Sequence, residues 1–139
     1  MSEADMRVVR RFVEEYQSRG DVSVGEELLG ADFVDRSPFG PFSPDREGVL
    51  ALFSFLRGAF PDLHAVIHDQ LADGDKVVTR KTFHGTHKGE FMGIEPTGRE
   101  VAFDVIDIVR VRDGKMVEHW NVVDSMALMQ QLGAVPAPS

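Results

Sequence analysis

Cysteine is missing from this chain of 139 residues, which rules out disulfides, a thiolate nucleophile and any cysteine-ligated metal site. Basic residues are also scarce: 15 Lys and Arg against 23 Asp and Glu give a formal charge of −8. With no Lys/Arg-rich cluster to neutralise phosphates, a nucleic-acid partner is disfavoured. Arg7, Arg10 and Arg11 share their segment with Glu14 and Glu15 and read as a mixed, solvated helix face. No apolar run approaches the length that crosses a bilayer, so no membrane partner is expected. The start, Met1 to Asp5, has neither the basic region nor the apolar core of a secretory leader. A cytoplasmic location is the expectation. Tryptophan and tyrosine occur once each, whereas phenylalanine occurs 10 times. Large rings can line a cavity without closing it, and they also simply fill cores.

The length suits one domain with room for one core and one pocket. Val9, Phe12, Val13 and Tyr16 recur at helical spacing and predict a helix over 4–19, ended by Gly20-Asp21. A short helix over 24–29 and an extended segment over 32–36 follow. Ser37 to Phe42 is rich in turn formers and reads as a loop. Ser43 is the expected N-cap of the next helix, with Pro44 at its first position and Asp45 in its first turn. That helix should reach Ala59, and its broad apolar surface suits packing against a sheet.

Strands are expected over 64–71 and 76–84, joined by the Asp73-Gly74-Asp75 turn. A long connection with three glycines runs from Gly85 to Ile94. In it, Phe91, Met92 and Ile94 either cap the end of a cavity or anchor the loop to the core. A second hairpin, 101–112 and 115–123, turns at Asp113-Gly114. Asp124 should cap a last helix stopped by Gly133. The predicted domain is 1–133, with 134–139 a flexible tail. Helices first and an antiparallel meander after them predict an α+β domain, its helices segregated against one strongly curved, mostly antiparallel sheet.

The chemistry-bearing residues gather on the second hairpin. Period two puts His119 and Asn121 on one face of their strand and Trp120 on the other. Asp107 interrupts an otherwise largely apolar strand beside them. A buried carboxylate there should have a pKa raised towards neutrality, fit for taking a proton next to a carbonyl. The alternative is a carboxylate held by a cation for structural reasons alone. His119 either assists protonation or holds a ligand oxygen, and the Asn121 amide can stabilise a developing enolate. Asp35 faces the pocket mouth or pairs with Arg36 or Arg80. Tyr16 offers its hydroxyl to a ligand or packs in the core. His64, His68, His84 and His87 form no compact ligand motif, and the glycines fit no nucleotide-binding fingerprint, so neither metal nor cofactor is expected. Ile106, Ile108 and Trp120, on the opposite sheet face, are candidates for a homodimer contact.

The segments Phe83-His84-Gly85-Thr86-His87-Lys88-Gly89-Glu90-Phe91-Met92-Gly93-Ile94 and Asp113-Gly114-Lys115-Met116-Val117-Glu118-His119-Trp120 resemble the SnoaL-like polyketide cyclase family of the NTF2-like superfamily. The resemblance spans the first helix to Leu132. It implies a conical α+β barrel, usually homodimeric, with a deep apolar pocket for a hydrophobic small molecule. It also implies ring closure by an intramolecular aldol reaction without metal or organic cofactor. The family pattern has an aspartate acid/base at the position matched here by Asn121. A neutral carboxamide cannot accept a proton as a carboxylate does. His119 is matched, and a second polar position, often histidine in cyclases, is matched by Asp107. The resemblance thus implies a cyclase with Asp107, His119 and Asn121 as catalytic candidates. The alternatives are a non-catalytic small-molecule binder, or a hydrolase or isomerase using the same pocket.

Overall fold

The computed structural model describes residues 2–136, so the end of the expected flexible tail, 137–139, lies outside the described residues. Helix α1, Ser2–Arg11, runs on as a π-helical segment, Phe12–Ser18. The apolar stripe Val9, Phe12, Val13 and Tyr16 is buried as its spacing predicts. Helix α2, Val22–Leu28, is capped by the Asp21 carboxylate, which accepts from the Ser23 backbone N–H. Strand β1 is Leu29–Asp35. Helix α3, Arg46–Ala59, is capped by Asp45 rather than by Ser43. The Asp45 carboxylate accepts from the Gly48 N–H at 2.9 Å, and the Ser43 hydroxyl donates to that same carboxylate. Pro44 stands before the cap, where its carbonyl accepts from the Asp35 N–H.

Four strands follow: β2 His64–Asp73, β3 Lys76–Thr86, β4 Glu100–Arg112 and β5 Lys115–Val123. Asp113 and Gly114 both have positive φ, as the tight β4–β5 turn requires. Helix α4, Ser125–Gln131, is capped by Asp124, and Gly133 beyond it adopts φ +78°.

The α+β class is as expected, but the conical barrel is not. The sheet is open, in the order β1-β5-β4-β3-β2, and is neither closed nor strongly curved. It is mixed, because β1 runs parallel to β5 while the other neighbours are antiparallel. Closure would need β1 to pair with β2. Instead β1 is a short strand with a register break between Leu29 and Val34, and both edges carry helices: α3 packs on β1 and α1 on β2.

Alternation decides what faces the helices. On β4, Val101, Phe103, Val105, Asp107, Val109 and Val111 are buried while their neighbours are not. On β3, Val77, Thr79, Lys81 and Phe83 behave likewise. Two apolar clusters form beneath the helices. One joins α1, α2 and β1 to the far ends of the long strands. The other gathers the end of α3, Phe60, Phe83, Phe91, Phe103 and α4. Leu52, Phe53 and Leu56 of α3 are only half-buried, because they meet open space between these clusters.

Candidate functional site

That space is a cavity of about 380 Å³ between the helices and the inner sheet face. The volume falls in the range of small-molecule sites. Seven phenylalanine rings line it: Phe12, Phe33, Phe39, Phe53, Phe83, Phe91 and Phe103. Against this apolar wall stands one polar spot contributed mainly by the sheet: Asp35, Lys81, Asp107, His119 and Asn121, with Gln17 and Ser37 beside it.

The polar groups form a chain of alternating charge. Asp35 of β1 and His119 of β5 are register partners in the parallel pair, and His119 Nδ1 lies 3.0 Å from Asp35 Oδ1. His119 Nε2 lies 2.6 Å from Asp107 Oδ1. Lys81 of β3 reaches in from the other side of β4, with Nζ 2.6 Å from Asp107 Oδ2. The Lys81 ammonium also donates to Gln17 Oε1 at 2.9 Å. The run from β1 to β3 is therefore carboxylate, imidazolium, carboxylate, ammonium, with no net charge.

Both ring nitrogens of His119 face carboxylates, so the ring carries a proton on each. Burial pushes its pKa down, but the hydrogen bonds and charges of Asp107 and Asp35 outweigh that and raise it to about 9. The expectation for Asp107 is reversed. Burial does push its carboxyl up, but the Lys81 ammonium and the His119 ring together hold it at about 2. Desolvation alone would raise it; the two cations outweigh desolvation. At neutral pH Asp107 is a carboxylate and His119 an imidazolium. Asp107 keeps lone pairs beyond the two it shares, so it can still accept a proton from a ligand.

Asn121 is the direct cross-strand partner of Asp107 and lines the same wall. Its backbone N–H donates to the Ser37 hydroxyl, which ties the strand to the loop after β1. Its carboxamide has no hydrogen-bond partner among the described residues and is free to meet a ligand. Asp35 also accepts from the Ser37 N–H, whereas Arg36 pairs with Glu118 and Arg80 with Asp69. Asp35 thus belongs to the site rather than to either arginine.

The structure does not bring every candidate to the cavity. Phe91 and Met92 line it, at the tip of a tight turn closed by hydrogen bonds between Phe91 and Ile94. Met92 and Gly93 take positive φ at its centre. Ile94 serves the turn and packs behind the lining. Tyr16 packs between Phe12 and Phe53, with Gly25 pressed against its ring, and does not line the cavity. Burial raises its phenol to about 12. Trp120 lies on the outer face, where the Lys76 ammonium sits 5.3 Å from its ring centroid. The histidines weighed for metal are scattered: His64 stacks on His84, His68 meets Thr82, and His87 meets Thr97. Lys81, the last member of the charge chain, and its neutral partner Gln17 went unnoticed in the sequence. For Lys81 the signal was its place among Val77, Thr79 and Phe83, a charge on an otherwise inward face.

The chain belongs to the SnoaL-like polyketide cyclase family of the NTF2-like superfamily, whose sequence profile matches residues 7–132. It is 29% identical over 133 residues to the aklanonic acid methyl ester cyclase DnrD of Streptomyces peucetius, covering 91% of this chain and 88% of that one. Among solved structures, AclR from Streptomyces galilaeus superposes with a TM-score of 0.89 at 31% identity, covering 100% of this chain and 87% of the other. IdmH from Streptomyces antibioticus gives a TM-score of 0.82 at 36% identity, covering 93% and 98%. Among the described residues, no helix is long and apolar enough to cross a membrane.

Proposed function

We propose that this protein closes a ring in a hydrophobic polyketide-like carbonyl compound by cofactor-independent acid/base chemistry, an intramolecular aldol reaction. The observation that carries this reading is the ionised Asp107 set beside Asn121 on the wall of an apolar cavity. Similarity to an aklanonic acid methyl ester cyclase supports the substrate class.

In this reading Asp107 takes a proton from the carbon next to a carbonyl. The carbonyl oxygen, becoming an enolate, receives the Asn121 amide N–H, and the His119 imidazolium supplies positive charge nearby. The enolate carbon attacks a second carbonyl in the same molecule. A carbon–carbon bond forms, and the new alkoxide takes the proton back from Asp107. Substrate and product are isomers, so nothing else is consumed. A carboxylate held at about 2 is a weak base. The reaction therefore suits a carbon flanked by two carbonyl groups, whose proton is already acidic. A second copy packs on the outer sheet face around Ile106, Ile108 and Trp120.

The test is incubation with aklanonic acid methyl ester and with simpler diketo esters, followed by chromatography and mass spectrometry. The expected product has unchanged mass and a new retention time. No isomer from any of them, with saturable binding by calorimetry, would favour the second reading: a binding protein. The observation behind that reading is Asn121, a neutral group where the family pattern has its aspartate.

A further inference from the structure

Lys81 is the only lysine or arginine that is buried among the described residues, at 3% exposure. Burying an ammonium is costly unless it is paired and hydrogen-bonded. Here it is both, and each partner comes from a different element. The Asp107 carboxylate on β4 lies 2.6 Å from Nζ. The Gln17 amide oxygen, on the π-helical segment after α1, lies 2.9 Å away on the helix side. The Phe83 ring lies 5.0 Å off. Held from both sides, the ammonium is fixed over Oδ2 of Asp107 while His119 is fixed at Oδ1. The carboxylate is gripped at both ends by strands that flank its own.

We propose that Lys81 is a positioning residue for the acid/base step: through Oδ2 it keeps Asp107 ionised and turned so that its remaining lone pairs face the cavity. The proposal rests on the cyclase reading above and extends it. The charged groups facing this carboxylate are Lys81 from β3 and His119 from β5, with Asp35 of β1 behind the histidine. The helix side supplies Gln17, which is neutral. Of the two cations at Asp107, His119 shares its charge with Asp35, whereas Lys81 has no second carboxylate. Lys81 is accordingly the partner whose loss Asp107 feels most.

The experiment is a carboxyl ¹³C NMR titration of Asp107 in the wild type, Lys81→Met and Lys81→Arg, alongside pH profiles of ring closure. In Lys81→Met the Asp107 midpoint should rise by about one pH unit or more. The acidic limb of kcat/KM should rise with it, while KM changes little. Lys81→Arg should restore both. An unmoved Asp107 midpoint in folded Lys81→Met overturns the proposal. If that variant does not fold, Lys81→Gln carries the same test, since its amide can donate to Asp107 without charge. The wild type provides a further check: the Lys81 ¹⁵Nζ shift should follow pH through the Asp107 midpoint, and a flat response overturns the coupling. A moved midpoint without ring closure on any carbonyl substrate sinks the cyclase reading while supporting the hold of Lys81 on Asp107.

Discussion

His119 Nε2 lies 2.6 Å from Asp107 Oδ1, a charge-assisted, partly buried contact between adjacent strands. Each partner moves the other's titration, so the contact makes stability depend on pH. The His119 pKa is raised from 6.5 to about 9. Its contribution is full below 6.5 and is lost as pH rises through about 9. The Asp107 pKa is lowered from 3.8 to about 2, so its contribution is present above 3.8 and lost as pH falls through about 2. Between those limits the network is intact. Urea unfolding of wild type and His119→Gln should differ most near pH 6. The gap should narrow by about 3 kcal/mol by about pH 10, because a tenfold change in proton affinity is worth about 1.4 kcal/mol. A constant gap would mean that His119 is not charged in the folded state.

Replacing Asp107 strikes both the chemistry and the fold. Asp107→Asn leaves the Lys81 ammonium and the His119 ring without their shared carboxylate, and breaking a buried pair this way costs about 3–5 kcal/mol. In the cyclase reading the variant also loses its proton acceptor, for a fall in kcat of about 10² to 10⁴. Assays at low temperature, where the variant stays folded, separate the two effects. A folded variant with wild-type kcat/KM would remove Asp107 from the reaction.

The second hairpin was legible because two physical signals coincided there. An Asp-Gly turn fixed the register, and period two put Asp107, His119 and Asn121 on one face. The helix stripe from Val9 to Tyr16 was legible for the same kind of reason. Strand β1 was harder, since a parallel edge strand makes its partners through distant residues, and Leu29 to Ala31 carry no strand pattern of their own. The open sheet could not be read locally either. Whether β1 meets β2 depends on how helices cover the edges. At the site, the residues were legible and their ionisation was not. The depressed Asp107 pKa depends on Lys81, which is 26 residues away in sequence and reaches Asp107 diagonally across the β3–β4 pair, two residues along from its register partner Thr79.

The loop that carries Phe91 to the cavity is anchored by a close backbone approach. The Lys88 and Gly89 N–H groups both donate to the Ala59 carbonyl at the end of α3. A Cβ at Gly89 would lie 2.2 Å from the Gly58 carbonyl oxygen, with no flexible side chain to give way. Gly89→Ala should destabilise the protein by about 1–3 kcal/mol. Thermal denaturation measures the loss, and a melting temperature equal to wild type would show that the loop is held otherwise.

On the outer face, Ile106 and Val122 are cross-strand partners at 47% and 75% exposure. Their positions beside Ile108 and Trp120 suit the proposed contact with a second copy. Sedimentation at micromolar concentration should give twice the chain mass of 15.4 kDa. Val122→Glu should return it to the single-chain value by putting a charge in the contact. A wild type that sediments as one chain across that range would count against the dimer.

Asn121→Asp offers the sharpest test of where the reaction is run. Asn121 sits directly across from Asp107, and its carboxamide meets the cavity rather than a protein partner. A carboxylate placed there would be partly desolvated and would face the Asp107 charge, and both effects push its pKa up. Unlike Asp107, it would have no lysine at hydrogen-bond distance to hold it down. It would therefore be a stronger base than Asp107 at neutral pH, at the position where the family resemblance implies an aspartate. The acidic limb of the pH profile should move to higher pH. Asn121→Ala, which removes the amide donor without adding a base, should instead lower kcat by about 10². If neither variant changes turnover or its pH profile, the reacting carbon does not sit between β4 and β5, and the assignment of Asp107 and Asn121 as a working pair fails.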